Sequence, residues 1–146
     1  MSKKNKTLSK LIKLKENRKI QIELEVKKAA DSVEEEQNKL DELEGNYENS
    51  VGNFTERQAD SVLNAGNMSV YYDFFSRINR RIKDQEKECS RSQDNLEKSK
   101  DRLVDAHKEK KAVEMLNDKQ IRKELRERSV SEQKETDYFS LIRRIK

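Results

Sequence analysis

The side chains that do nucleophilic, acid–base or metal chemistry are scarce in this chain. His107 is its single histidine and Cys89 its single cysteine. General acid–base work needs an imidazole held beside a partner in a shielded pocket. His107 stands among charged neighbours, with no second histidine or cysteine to share a metal, and reads as a lone surface histidine. Cys89 can form no intrachain disulfide and no multi-cysteine metal site. It reads as a small apolar packing residue, which fits a reducing compartment. The acidic runs lack the ligand spacing of an EF-hand, and there is no glycine-rich phosphate loop with its lysine. The sequons Asn5-Lys6-Thr7, Asn53-Phe54-Thr55 and Asn67-Met68-Ser69 matter only in a secreted chain. No catalytic residue, cofactor site or metal site is therefore expected, and no small-molecule substrate.

Binding chemistry is better represented. Basic clusters occur at Arg80-Arg81, Lys108 to Lys111, Arg122-Lys123 and Arg143-Arg144. Each is interleaved along the sequence with Glu or Asp, which offsets a phosphate-tracking field. No stacking platform or recognition motif accompanies them, so nucleic acid is not an expected partner. The sharper signal is Tyr71-Tyr72-Asp73-Phe74-Phe75, where four of the eight aromatic residues fall within five positions. Exposed aromatics beside a turn anchor partners. The competing use is closure of a hairpin tip on Tyr47, Val51 and Phe54. Both uses stay open at the level of sequence.

The elements that must position these residues are helices. From Tyr71 the spacing alternates four and three: Tyr71, Phe75, Ile78, Ile82, Gln85, Cys89, Ser92, Leu96, Ser99, Leu103, Ala106, Lys110, Val113. Nine of these thirteen are apolar or Cys. That is a heptad seam, one helix lying on another. With 32% hydrophobic and 42% charged residues, and no proline or tryptophan, the chain has enough apolar surface for one stripe per helix. Mixed charges at helical spacing favour coiled coil over disorder.

A first helix is predicted over about residues 7–50, capped by Thr7, with the seam Val26, Ala29, Val33, Glu36, Leu40, Leu43, Tyr47. Lys19 and Glu36 interrupt its apolar stripe. All three glycines, Gly45, Gly52 and Gly66, fall in or beside a tip expected at about 52–69. A second helix, capped by Ser69, is predicted over about 70–139. Its apolar seam ends near Val113, so residues 117–146 would lack a partner within the chain, and an unpartnered helix is marginal in water. The expected fold is all-α, a single domain over 1–146 forming a long antiparallel two-helix coiled-coil hairpin. The rival is a parallel homodimer.

Charge is uneven along the chain. Residues 1–15 hold six lysines and no acid. Residues 31–48 hold eight acids against Lys39, and residues 108–146 hold twelve bases and eight acids. Such polarity suggests different partners at different places; a solvated surface with chance clustering is the alternative. No apolar run is long enough to span a membrane. Met1 to Lys15 lacks the apolar core of a secretory signal; it reads as a contact for an anionic membrane surface or as a charged helix start.

Three stretches resemble the FliJ family of flagellar export proteins. The first is Tyr71-Tyr72-Asp73-Phe74-Phe75-Ser76-Arg77-Ile78-Asn79-Arg80-Arg81-Ile82-Lys83-Asp84-Gln85. The second runs from Ala106 to Leu116, and the third is Glu132-Gln133-Lys134-Glu135-Thr136-Asp137. The resemblance covers nearly the whole chain. It implies an antiparallel coiled coil similar to the stalk of rotary ATPases, without enzymatic activity, at the cytoplasmic face of the cell membrane at the flagellar base. The implied partners are the hexameric export ATPase FliI at the helix ends and the export gate protein FlhA nearer the tip. The ATPase regulator FliH and export chaperones are further candidates. Carried onto this sequence, the partner-binding positions are Leu40, Leu43, Tyr47, Phe74, Ile78, Arg81 and Gln85, with Tyr72 added from the aromatic cluster. Arg81 stands where the family usually has a small apolar residue. A virulence export stalk or a generic scaffolding coiled coil are the other readings.

Overall fold

The computed structural model describes residues 3–60 and 64–145. The described residues form two helices, α1 (Lys3–Ala59) and α2 (Ala65–Ile145). They pack together as a helical hairpin, with no strand among the described residues.

Both helices are longer than the sequence predicts. Thr7 does not cap α1: its hydroxyl donates to the Lys3 carbonyl at 2.9 Å, the back-bond of a threonine already inside a helix. Thr55 does the same to the Val51 carbonyl. Gly45 and Gly52 lie within α1 instead of ending it, and a Cβ at either would meet nothing within 4 Å. A glycine costs a helix about 1 kcal/mol, too little to stop one that packs on a neighbour. The cap of α2 is Asn64 in place of Ser69. Its Oδ1 accepts the Asn67 amide at 2.9 Å, and its carbonyl accepts the Met68 amide at 2.9 Å, satisfying donors that a helix start leaves without partners. The expected tip at 52–69 therefore shrinks to the few residues between Ala59 and Ala65, of which 61–63 lie outside the described residues. At the other end α2 continues to Ile145, past the predicted 139.

The chain divides by contact into two units, Glu23–Arg102 and Met1–Ile22 with Leu103–Lys146. In the first, Val26, Ala29, Val33, Leu40, Leu43 and Tyr47 of α1 turn inward, as do Tyr71, Phe75, Ile78, Ile82, Cys89 and Leu96 of α2. Leu40, Ile78 and Leu96 are buried. Glu36, which interrupts the apolar stripe, does not interrupt the seam. Gln85 donates through Nε2 to the Glu36 carboxylate at 2.6 Å and to the Glu36 carbonyl at 2.9 Å. The Cys89 thiol donates to the same carbonyl at 3.3 Å. A backbone acceptor engaged from the opposite helix fixes which residues face each other, the role polar seam residues serve in coiled coils. Ser32 and Ser92 meet at 3.5 Å in the same seam.

The second unit keeps the four-three count with different chemistry. Past Val113 the inward positions are Asn117, Gln120 and Glu124, and on α1 they are Ile22, Lys19, Lys15, Ile12, Leu8 and Asn5. Asn5 is buried and donates to the Glu124 carboxylate at 2.6 Å. Lys15 pairs with Glu109 at 3.1 Å, and Lys110 pairs with Glu16. The seam thus does not end near Val113, as its apolar residues suggest; it becomes polar and continues to Glu124.

Candidate functional site

Two regions present side chains beyond what the seam requires. The first lies in the unit Glu23–Arg102, where the aromatic cluster sits. Phe54 is its hub, with ring centroids 5.3 Å from Tyr71, 5.9 Å from Tyr72 and 5.8 Å from Phe75. Tyr47 meets Phe75 edge-on at 5.8 Å, and Phe74 meets Phe75 at 6.0 Å. The Arg57 guanidinium lies over the Tyr71 ring at 5.9 Å, a cation–π contact. The two readings of the cluster are therefore compatible. Tyr71 and Phe75 close the helix pair on Tyr47 and Phe54, while Val51 stays at the surface. Tyr72 touches Phe54 yet keeps 59% of its surface exposed, and Phe74 is half-buried.

The other predicted partner-binding residues divide by burial. Leu40 and Ile78 are buried, and Leu43 and Tyr47 half-buried, all inside the seam. Gln85 is held by Glu36. Arg81 is exposed. The accessible members of the set are Tyr72, Phe74 and Arg81.

The second region is the end of α2. Counting on from Glu124 in the same four-three spacing gives Glu127, Ser131, Lys134, Tyr138, Leu141 and Ile145. The seam face becomes apolar again over its last three positions. No residue of α1 covers it: Tyr138, Leu141 and Ile145 are 62%, 57% and 85% exposed. Phe139 stacks edge-on with Tyr138 at 6.1 Å and is also exposed, while Ile142 is half-buried. The apolar residues alone hide this continuity, because polar side chains fill the positions from Asn117 to Lys134. Extending the heptad count through them is the signal that finds it.

Electrostatics mark the seam more than either region. The hydrogen bond from Gln85 holds the Glu36 carboxyl below its ordinary 4.5. The hydrogen bond from Lys110 does the same for Glu16, and Glu16 raises Lys110 in return. Glu36 likewise raises Lys39. Among the described residues, no group of three or more His, Cys, Asp or Glu side chains is arranged to hold a metal. No helix there is long and apolar enough to cross a membrane.

A helical hairpin with a narrow seam, an aromatic cluster and an uncovered heptad stripe defines a coiled-coil interaction protein. The family model described as "Flagellar FliJ protein" matches residues 4–146. The chain belongs to the FliJ family, a non-enzymatic component of the flagellar export apparatus. No curated protein and no solved structure gives a significant match.

Proposed function

We propose that the chain is a stalk of the export apparatus. It engages the hexameric export ATPase FliI through the end of α2 and couples it to the gate protein FlhA, working peripherally at the cytoplasmic face of the membrane. One observation carries the ATPase end of this reading. The α2 seam face keeps its register beyond Glu124 and regains apolar residues at Tyr138, Leu141 and Ile145, where α1 supplies no cover. A heptad stripe without a partner favours pairing with a surface of another molecule, and a segment held by few internal contacts orders readily on binding.

ATP hydrolysis by the export ATPase, measured with the full chain and with a chain ending at Glu124, tests it. Stimulation should vanish with the shortened chain and fall severalfold with Tyr138→Ala combined with Leu141→Ala. Undiminished stimulation by the chain ending at Glu124 would move the contact elsewhere.

For the gate, the reading rests on the accessible aromatic edge. Tyr72, Phe74 and Arg81 make contact, and Leu40, Leu43, Tyr47, Ile78 and Gln85 hold that edge from within the seam. Tyr72→Ala with Phe74→Ala should abolish gate capture while leaving helicity intact. Lost thermal stability with unchanged capture would assign the pair to packing instead.

A further inference from the structure

Along the sequence, the bases of residues 108–126 are mixed with acids; on the helix surface the two separate. Lys108, Lys111, Lys119, Arg122 and Arg126 follow each other at spacings of three, eight, three and four residues, Lys123 stands beside Arg122, and all are exposed. Such spacings place them on one face of α2, opposite the seam positions Lys110, Val113, Asn117, Gln120 and Glu124. The acids of the same stretch lie elsewhere. Glu109 turns to Lys15, Glu114 to Lys110, and Glu124 to Asn5. Asp118 and Glu127 flank the face. Met115 and Leu116 lie along the basic row, 69% and 57% exposed. None of the six bases makes an ion pair with a described residue.

The chain also carries the complement of this face. On α1, Asp31, Glu34, Asp41 and Glu48 recur at spacings of three, seven and seven residues, with Glu35 and Glu42 beside them, and all are exposed. Within residues 31–48 the one base, Lys39, is turned toward Glu35 and Glu36. The two rows are of nearly equal length, each about 26 Å at the rise of an α-helix.

We infer that the basic row on α2 of one molecule docks on the acidic row on α1 of a second copy of this chain. Opposite rows of matched length align two helices and steer their encounter, and Met115 and Leu116 lie within the area the contact would cover. Exposed ion pairs are individually weak, so the association is reversible and sensitive to salt. The inference is independent of the stalk reading and concerns surfaces that reading does not use.

Sedimentation of the full chain across a concentration series tests it, at about 0.01 M and about 1 M salt, where the screening length falls from about 30 Å to about 3 Å. The wild type should associate at low salt and lose at least about tenfold in affinity at high salt. A basic-row variant, Lys119→Glu with Arg122→Glu and Lys123→Glu, should stay monomeric. So should an acidic-row variant, Glu34→Lys with Asp41→Lys and Glu42→Lys. An equimolar mixture of the two variants should associate again, with circular dichroism confirming that each is helical. A wild type that stays monomeric at low salt overturns the proposal, as does self-association unchanged by either variant. Monomeric wild type that binds phosphatidylglycerol vesicles or duplex oligonucleotide through the basic row would overturn it in favour of a lipid or nucleic-acid surface.

Discussion

The two contact units share one heptad phase and differ in what fills it. Between Glu23 and Arg102 the seam holds valines, leucines, isoleucines and aromatic rings, with a polar bracket at Glu36, Gln85 and Cys89. In the other unit Ile22, Ala106 and Val113 are buried, but Asn5, Lys15, Lys19, Lys110, Asn117, Gln120 and Glu124 occupy their neighbours' positions. Apolar burial contributes about 25 cal/mol per Å², whereas ion pairs at a partly exposed surface contribute little. The same geometry therefore yields a self-sufficient helix pair in one unit. In the other it yields a pair that is specified in register but weakly held. The stalk role proposed above would use both, one part that keeps its shape and one that stays available to a partner.

The contrast should appear first in core truncations. Ile78→Ala, in the apolar seam, should lower unfolding stability in urea by about 3 kcal/mol. Val113→Ala, the buried valine of the polar seam, should lower it by about 1.5 kcal/mol. Equal losses at the two sites would mean that the polar unit is as firmly held as the apolar one.

Acid comes next. Glu36 and Glu16 are held below 4.5 in the folded chain by Gln85 and Lys110. Each therefore adds stability that is fully present above pH 4.5 and is lost as pH falls through the depressed values. Lys110, held above 10.5, adds stability present below that value and lost as pH rises through its raised one. Thermal unfolding followed between pH 3 and 7 should show the acid loss. Gln85→Leu should remove the part of that acid loss that Glu36 contributes, because without the hydrogen bond its carboxyl returns toward its ordinary value. The Glu16–Lys110 effect shrinks in high salt, because that ion pair is partly exposed.

The smallest effect belongs to the end of α2. Tyr138→Ala with Leu141→Ala should change the stability of the free chain by less than about 0.5 kcal/mol, since α1 covers neither. A larger loss would show that these residues already have an internal partner.

Much of this was legible in the sequence because the heptad is nearly unbroken. Each of the thirteen positions from Tyr71 to Val113 faces inward, and the hairpin follows from two such helices around a short turn. What was not legible is local or polar. Thr7 and Ser69 have capping chemistry, but a threonine can equally bond back within a helix, and Asn64 takes the cap five residues before Ser69. Gly45 and Gly52 look like breakers by type, yet their small cost is outweighed by packing on either side. Among the expected partner-binding residues, sequence could not separate Leu40 and Ile78, sunk in the seam, from Tyr72 and Arg81 at the surface. Hydrophobicity alone hides the polar seam from Asn117 to Glu124, because register there is carried by spacing and not by apolar residues.

Hydrogen exchange of the full chain, alone and saturated with the export ATPase, tests the central claim most directly. The account predicts that amides of 125–145 exchange fast in the free chain and are protected on binding, while those of the seam between Val26 and Leu96 stay slow in both states. Protection confined to residues 23–102, with 125–145 exchanging equally fast in both states, would contradict it.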